Sequence, residues 1–230
     1  NASQEKATEI LQKIYTAPVK ENLIGDIVKK IKDSNARCFA SVVPASTKNF
    51  APLAVEAGSD SIVIQSTVTT ARHNSKSLEG LVLSKIVETL KVPIIVGNTV
   101  TYNVSRELME TGIHGILVGV GPGSACTSRE VLGVGVPQVS ATLECSSARD
   151  DYYKLTGRYV SIITDGGIRT GGELCKSFVA GADAVMIGSP FSKTFESPAQ
   201  GNHWGMATPH ESLPRGTRIV NKPEYSRKEL

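Results

Sequence analysis

Cys126 stands on a glycine-rich stretch, Gly121-Pro122-Gly123-Ser124-Ala125-Cys126, directly after the short apolar run Gly115–Val120. The run reads as a buried strand. Gly121-Pro122-Gly123 reads as a tight turn with positions open to positive φ. A thiol presented on such a loop has the placement of a nucleophile. Only a thiolate attacks well, and free N–H groups near a helix start favour that form. Ser124 or Ser128 is placed to cap the segment that follows. The other reading of Cys126 is a small residue packed under a turn, and the cysteine by itself does not decide between them.

The elements that must carry this loop recur along the chain. Apolar residues at helical spacing predict helices over 4–15, 22–32, 47–57, 78–90, 103–110, 138–155 and 172–180. Short apolar runs predict strands over 37–45, 61–66, 92–96, 115–120, 159–164 and 184–187, with a polar loop over 67–77. Three stretches share one pattern: Val55–Asp60, Met109–His114 and Val179–Asp183. Each is a helix end, a glycine at C′, two or three residues, then a strand. Strands that are apolar throughout imply a parallel sheet covered on both faces. Repeated units of about 20–40 residues with no strand-only region point to a (β/α)8 TIM barrel. Six βα units are countable, so the first two strands and the C-terminal segment read as missing. A doubly wound open sheet is the alternative. Residues 1–219 read as the barrel domain and 220–230 as a polar tail.

Polar residues fall where a barrel concentrates chemistry, at the C-terminal ends of strands. They are Gln65-Ser66-Thr67, Gly97-Asn98-Thr99, the stretch from Gly119 to Cys126, Asp165-Gly166-Gly167 and Gly188-Ser189. Gly166-Gly167 and Gly188-Ser189 precede helical stretches in consecutive units, an arrangement that can cradle phosphate on helix N-termini. Asp165 would repel phosphate and suits ribose hydroxyls.

Composition bounds the rest. The chain has 230 residues and is 40% hydrophobic, enough for one sizeable core. Its 25 basic and 22 acidic residues are dispersed and sum to +3, which gives no reason to invoke nucleic acid or a membrane surface. Apolar runs fall short of the roughly 18–20 residues of a membrane span, and no signal-peptide pattern opens the chain. The chain begins with Asn and reads as a processed product or a fragment. Cys38, Cys126, Cys145 and Cys175 lie far apart, without metal or disulfide spacing, which fits a reducing cytoplasm. Cys38, Cys145 and Cys175 fall on elements expected to be buried. His73, His114, His203 and His210 show no paired metal spacing, and His114 reads as structural. Arg72, His73 and Lys76 suit either a dinucleotide contact or a solvated loop. Trp204 reads as packing or as part of a closing flap.

Four motifs in register resemble the IMP dehydrogenase/GMP reductase family over about 37–219, closest to its bacterial IMP dehydrogenase-related branch. Gly119–Thr127 resembles the family's catalytic loop, and Ile163–Ile168 its ribose- and phosphate-binding segment. Val185–Ser189 resembles the second phosphate segment, and His203–Thr208 the purine-contacting flap entrance. The resemblance implies an oxidoreductase in which Cys126 adds to C2 of a purine nucleoside monophosphate. In the dehydrogenase, hydride passes to NAD and water releases XMP. In the reductase, the amino group leaves first and NADPH returns hydride.

The resemblance also implies the site. Ser124, Asp165, Gly166, Gly167, Gly188 and Ser189 would hold ribose and phosphate. His203, Gly205, Met206 and Ala207 would face the base. Gln65, Ser66, Asn98 and Gly119 would line the cofactor side, and Ser128 matches a hydroxyl near the thiolate. Carbonyls of Gly121, Gly123 and Cys126 match a K⁺ site, and a homotetramer is implied. Several positions depart from the family. The dehydrogenases usually carry Asp where Gln65 stands, and the loop around Pro122-Gly123-Ser124 and Cys126-Thr127 is closer to the reductases. The reductase flap Glu falls at Pro209, with Glu211 two residues away, and the dehydrogenase Arg–Tyr pair has no counterpart. A dehydrogenase leads, ahead of a reductase and of a non-catalytic nucleotide-binding relative.

Overall fold

The computed structural model describes residues 16–18, 20–72, 80–198, 200–203 and 219–230, and positions 6, 9, 10, 12 and 13 before them. Those five early positions are helical, as expected for 4–15, whose other residues lie outside the described ones. The described chain runs α1 (Glu21–Asp33), β1 (Phe39–Val42), α2 (Thr47–Glu56), β2 (Ser61–Gln65), α3 (Leu83–Thr89) and β3 (Ile94–Thr99). It continues α4 (Tyr102–Glu110), β4 (Gly115–Val118), α5 (Gln138–Thr156), β5 (Ser161–Asp165), α6 (Gly171–Val179), β6 (Ala184–Met186) and α7 (Ser189–Ser192). A small antiparallel pair, β7 (Asn202–His203) and β8 (Ile219–Val220), follows, and a 3-10 turn, Arg227–Glu229, comes last.

The six main strands form one parallel sheet in the order β1-β2-β3-β4-β5-β6. A doubly wound sheet reverses its strand order at a switch point. Here the order is sequential, so the sheet is a six-unit arc of a (β/α)8 barrel. Two apolar layers follow. Between helices and sheet lie Ile62, Ile64, Ile94, Val96, Leu108 and Met109 with their neighbours. On the inner face Val63, Ile95 and Leu117 pack with Ile163 and Met186. Every residue of β2, β3 and β4 is buried, whereas the edge strands β1 and β6 are partly exposed. The exposure of Cys175, expected in the core, has the same cause: α6 flanks the β6 edge. Cys38 and Cys145 are buried as expected.

Several boundaries differ from expectation: β1 is Phe39–Val42 rather than 37–45, β4 stops at Val118 and β5 starts at Ser161. α3 begins at Leu83 rather than residue 78: Val82 is extended, and Leu81 packs on the core from outside the helix. β3 does not stop at Gly97-Asn98 but continues to Thr99, with a register shift between Gly97 and Thr99. Gly97 permits it, because a Cβ there would lie 2.4 Å from Leu117 Cβ. Such a bulge re-aims a side chain, here Asn98.

The repeated helix–glycine–strand pattern holds, with Gly58, Gly112 and Gly181 at φ +101°, +94° and +97°. It also contains a bond that no local pattern displays. The Asp60 carboxylate accepts the Cys38 N–H at 2.7 Å, His114 Nδ1 accepts the Ile94 N–H at 3.1 Å, and the Asp183 carboxylate accepts the Ile162 N–H at 2.7 Å. Each residue's own N–H returns to the carbonyl of the same partner at 2.8 Å. Three acceptors thus tie neighbouring strands together at the N-terminal face, where a barrel keeps stability rather than chemistry. Lys32, then the Cys38 N–H, hold the Asp60 carboxyl well below the usual range.

His114 fills this role with an imidazole that accepts only while Nδ1 carries no proton. Burial of the ring, and secondarily Arg158, lower its pKa, although the residue as a whole is exposed. The unfolded chain takes up a proton near pH 6.5 and the folded chain resists it. The stabilisation is therefore complete above about pH 6.5 and is lost as pH falls toward the folded pKa. Solvent screening keeps the loss under about 1 kcal/mol. Urea unfolding at pH 7.5 and pH 5.5 should show this component in the wild type and not in His114→Asn, which keeps an acceptor without a titration. Equal pH slopes in the two proteins would contradict it.

Candidate active site

The cysteine loop leaves β4 at Gly119, whose φ of +143° and crowded surroundings admit only glycine. A Cβ there would sit 2.5 Å from the Asp165 carbonyl oxygen and 2.8 Å from the Gln138 amide nitrogen. The Gly119 N–H donates to the Thr99 carbonyl at 3.1 Å. At the turn, the Gly123 carbonyl accepts the Cys126 N–H at 2.9 Å, and Gly121 takes φ +78°. Cys126 is half-buried, and its thiol lies 3.3 Å from the Ser128 hydroxyl. Ser128 opens a single π-helical turn, Ser128–Leu132, with no side-chain cap, so neither Ser124 nor Ser128 caps a regular helix here. The turn ends at Gly133, φ +66°.

Loops from successive strands converge on this turn. Gly166 and Gly167, φ +89° and +80°, pack beneath Pro122 and Gly123, where an added Cβ would lie 3.1 Å from Pro122 atoms. The Ser124 hydroxyl is 2.7 Å from the Ser189 hydroxyl, which joins the cysteine loop to the segment after β6. Ser189 in turn lies 3.3 Å from His203 Nδ1, and Gly188 lies against the same imidazole. These polar residues thus come together at one edge, with Asp165 as the anionic side chain on the β5 end. Gly205, Met206 and Ala207 lie outside the described residues, as do Trp204, His210, Pro209, Glu211, His73 and Lys76.

The cofactor-side expectations fall on the neighbouring strand ends. Gln65 donates to Asp165 Oδ2 at 2.9 Å and to Asn98 Oδ1 at 3.2 Å, and Asn98 donates to Asp165 Oδ2 at 2.8 Å. Burial raises the Asp165 pKa, and the bonds from Asn98 and Gln65 pull it back. The Ser66 hydroxyl bonds Val68 O and Thr69 Oγ1, both at 2.7 Å, and its backbone pairs with Gly97 and Asn98.

Sequence reasoning missed Gln138. It opens α5, and its amide donates to the Val118 carbonyl at 2.6 Å and the Asp165 carbonyl at 3.2 Å. It thereby clamps the β4 and β5 ends that carry the cysteine loop and the aspartate. Its Oε1 is buried without a partner among the described residues. A glutamine after Pro137 at a helix start was the available signal, but nothing local says that it reaches across two strands. The tail also docks closely. The Tyr225 hydroxyl donates to the Pro190 carbonyl at 3.0 Å, and Asn221 donates to Ser192 Oγ at 2.8 Å. Both contacts brace α7, the segment that carries Ser189.

A thiol on the loop after β4 thus sits beside the glycine turn after β5 and is joined through Ser124 to the segment after β6, at the C-terminal edge of the barrel arc. Comparison with known proteins is in accord. Residues 2–206 match the IMP dehydrogenase / GMP reductase domain, and the chain belongs to that family. It is 36% identical over 215 residues to an uncharacterized oxidoreductase of Mycobacterium tuberculosis, covering 93% of this chain and 57% of the relative. It is 44% identical over 150 residues to an inosine-5'-monophosphate dehydrogenase of Cryptosporidium parvum, covering 65% of this chain and 35% of that one. A crystal structure of an IMP dehydrogenase/GMP reductase-like protein from Corynebacterium glutamicum superposes with a TM-score of 0.82 at 34% identity, over 95% of this chain and 57% of that one. The chain therefore spans little more than half the length of these oxidoreductase relatives.

Among the described residues, no helix is long and apolar enough to cross a membrane, and no cluster of His, Cys, Asp and Glu could hold a metal ion. All four cysteines are free.

Proposed function

We propose that this chain carries the nucleotide-binding and thiol chemistry of an oxidoreductase acting at C2 of a purine nucleoside 5'-monophosphate. The leading reaction is IMP plus NAD⁺ and water giving XMP, NADH and a proton. The observation that carries the reading is that the Cys126 loop, with Ser128 beside the thiol, packs on the Gly166-Gly167 turn that follows Asp165 and is joined through Ser124 to Ser189.

The mechanism follows from their placement. Ser124, Ser189 and the glycine turns hold the phosphate, and Asp165 accepts from the ribose hydroxyls. The base is thereby brought over Cys126. The Cys126 thiolate, with the Ser128 hydroxyl beside it, forms a C–S bond to C2. Loss of hydride from C2 leaves a thioimidate on Cys126. Water then adds at C2, the C–S bond breaks, and the thiol is restored as XMP leaves.

A nicotinamide dinucleotide, NAD or NADP, supplies the hydride acceptor when bound. The neutral amide of Asn98 and hydroxyl of Ser66, on adjacent strand ends, are groups that would suit its carboxamide. The carbonyls of Gly121, Gly123 and Cys126 are hard oxygen donors of the kind K⁺ takes, with the Gly123 oxygen already in a turn bond. We place the reaction in the cytoplasm, in a homotetramer.

The reductase reading retains support in the loop sequence Pro122-Gly123-Ser124 and Cys126-Thr127. Absorbance at 340 nm decides between them. IMP with NAD should give a rise. A fall with GMP and NADPH would establish the reductase instead. No change in either mixture, with nucleotide bound, would leave a binding protein without turnover.

A further inference from the structure

Both protons of the Gln65 amide are in use, one on Asp165 Oδ2 at 2.9 Å and one on Asn98 Oδ1 at 3.2 Å. Asn98 sends its own N–H to the same Asp165 oxygen at 2.8 Å. One carboxylate oxygen therefore receives two amide donors, while no bond to Oδ1 is made among the described residues. Gln65 and Asn98 are 8% and 6% exposed and sit on adjacent paired strands, so the triangle is held rigidly. The terminal torsion of a carboxylate is soft. Two fixed donors on one oxygen remove that freedom and leave the other oxygen oriented.

We propose that Gln65 is a positioning residue for Asp165: with Asn98 it fixes one carboxylate oxygen so that the other accepts from the ribose of the bound nucleoside monophosphate. Gln65 then serves the nucleotide half of the site rather than the dinucleotide half. The inference rests on the reading above that Asp165 faces that ribose. A glutamate at position 65, with the reach of Gln65, would set two carboxylates within hydrogen-bond distance, and such a pair does not ionise fully near neutral pH. An amide removes the conflict. Burial raises the Asp165 pKa, the two amides oppose the rise, and no charged side chain among the described residues contributes to the shift.

The test compares wild type, Gln65→Leu and Gln65→Glu. The first readout is the Asp165 carboxyl titration in ligand-free protein, followed by carbon-13 NMR and assigned with Asp165→Asn. Losing a donor to the charged form should raise the Asp165 pKa in Gln65→Leu above that of wild type. An unmoved titration overturns the proposal. The second readout is calorimetric affinity for IMP, GMP and NAD. Gln65→Leu should weaken IMP or GMP about tenfold and leave NAD within about twofold. The opposite pattern overturns the proposal and returns Gln65 to the cofactor side.

Gln65→Glu keeps the shape of the side chain and covers the case in which Gln65→Leu fails to fold. Relative to wild type at the same pH, it should bind nucleotide about tenfold more weakly at pH 8.5 than at pH 6, where the pair holds a proton. A flat profile in Gln65→Glu overturns the proposal. If wild type binds neither IMP nor GMP, the functional reading falls, and the Asp165 titration alone decides whether Gln65 positions it.

Discussion

Cys126→Ala should abolish turnover of IMP or GMP, by at least about 10³-fold, the scale on which loss of a covalent nucleophile acts. The other groups at the site cannot replace the sulfur. The Ser128 hydroxyl, 3.3 Å from it, is a far weaker nucleophile than a thiolate. Binding should change little, because the proposed ribose and phosphate contacts come from Asp165, Ser124 and Ser189. The measurement is kcat alongside nucleotide affinity in the variant, with alkylation of the wild-type thiol as a second readout. IMP or GMP should protect Cys126 from the alkylating reagent. Turnover within tenfold of wild type in Cys126→Ala, or equal labelling with and without nucleotide, would remove the covalent mechanism.

The second large effect is on stability and lies at the opposite face of the barrel. Asp183 accepts the Ile162 N–H, the Tyr159 hydroxyl and Arg149 Nη1, the last at 2.9 Å. Arg149 is the buried partner, its side chain only 9% exposed, with its guanidinium 5.0 Å from the Tyr159 ring centroid. Asp183→Ala would strand that charge and an amide at the start of β5. Breaking a fully buried pair costs about 3–5 kcal/mol. The Asp183 side chain is 31% exposed and Arg149 keeps Asp150, so the expected loss is about 2–3 kcal/mol. For a chain of this size that corresponds to a fall in Tm of roughly 5–10 °C. Asp183→Asn keeps an acceptor for the Ile162 N–H and should lose less. A Tm within about 2 °C of wild type in Asp183→Ala would show that the network carries little stability.

The two predictions divide the molecule as a barrel divides itself, and the sequence was legible to different depths in the two halves. At the edge that carries the candidate site, strand-ending motifs marked Cys126, Asp165, Gly188 and Ser189 because glycine turns and polar residues after apolar runs are local signals. Gln138 escaped because its function is to span the β4 and β5 ends. At the opposite face, the glycine of each repeat was readable and its partner was not. Asp60, His114 and Asp183 differ in chemistry and share only a position, and their common bond is made to a neighbouring strand. Cys175 was misread because helix periodicity marks an inner face without saying whether anything covers it. β3 was expected to stop at Gly97-Asn98 because its apolar run ends at Val96. Close approach of β4 at Leu117 makes it a bulge instead.

What the sequence determined by itself is the set of βα units, their helix-ending glycines and the family motifs. Each of these depends on residues within a few positions of one another, through backbone propensity, capping and periodicity. The tertiary structure decided which of those residues meet. Gln65 and Asp165 are 100 residues apart and bond at 2.9 Å, and Ser124 and Ser189 are 65 apart and touch at 2.7 Å. Such pairs depend on strand register and sheet curvature, which arise from packing the whole arc, so no stretch of the chain contains them.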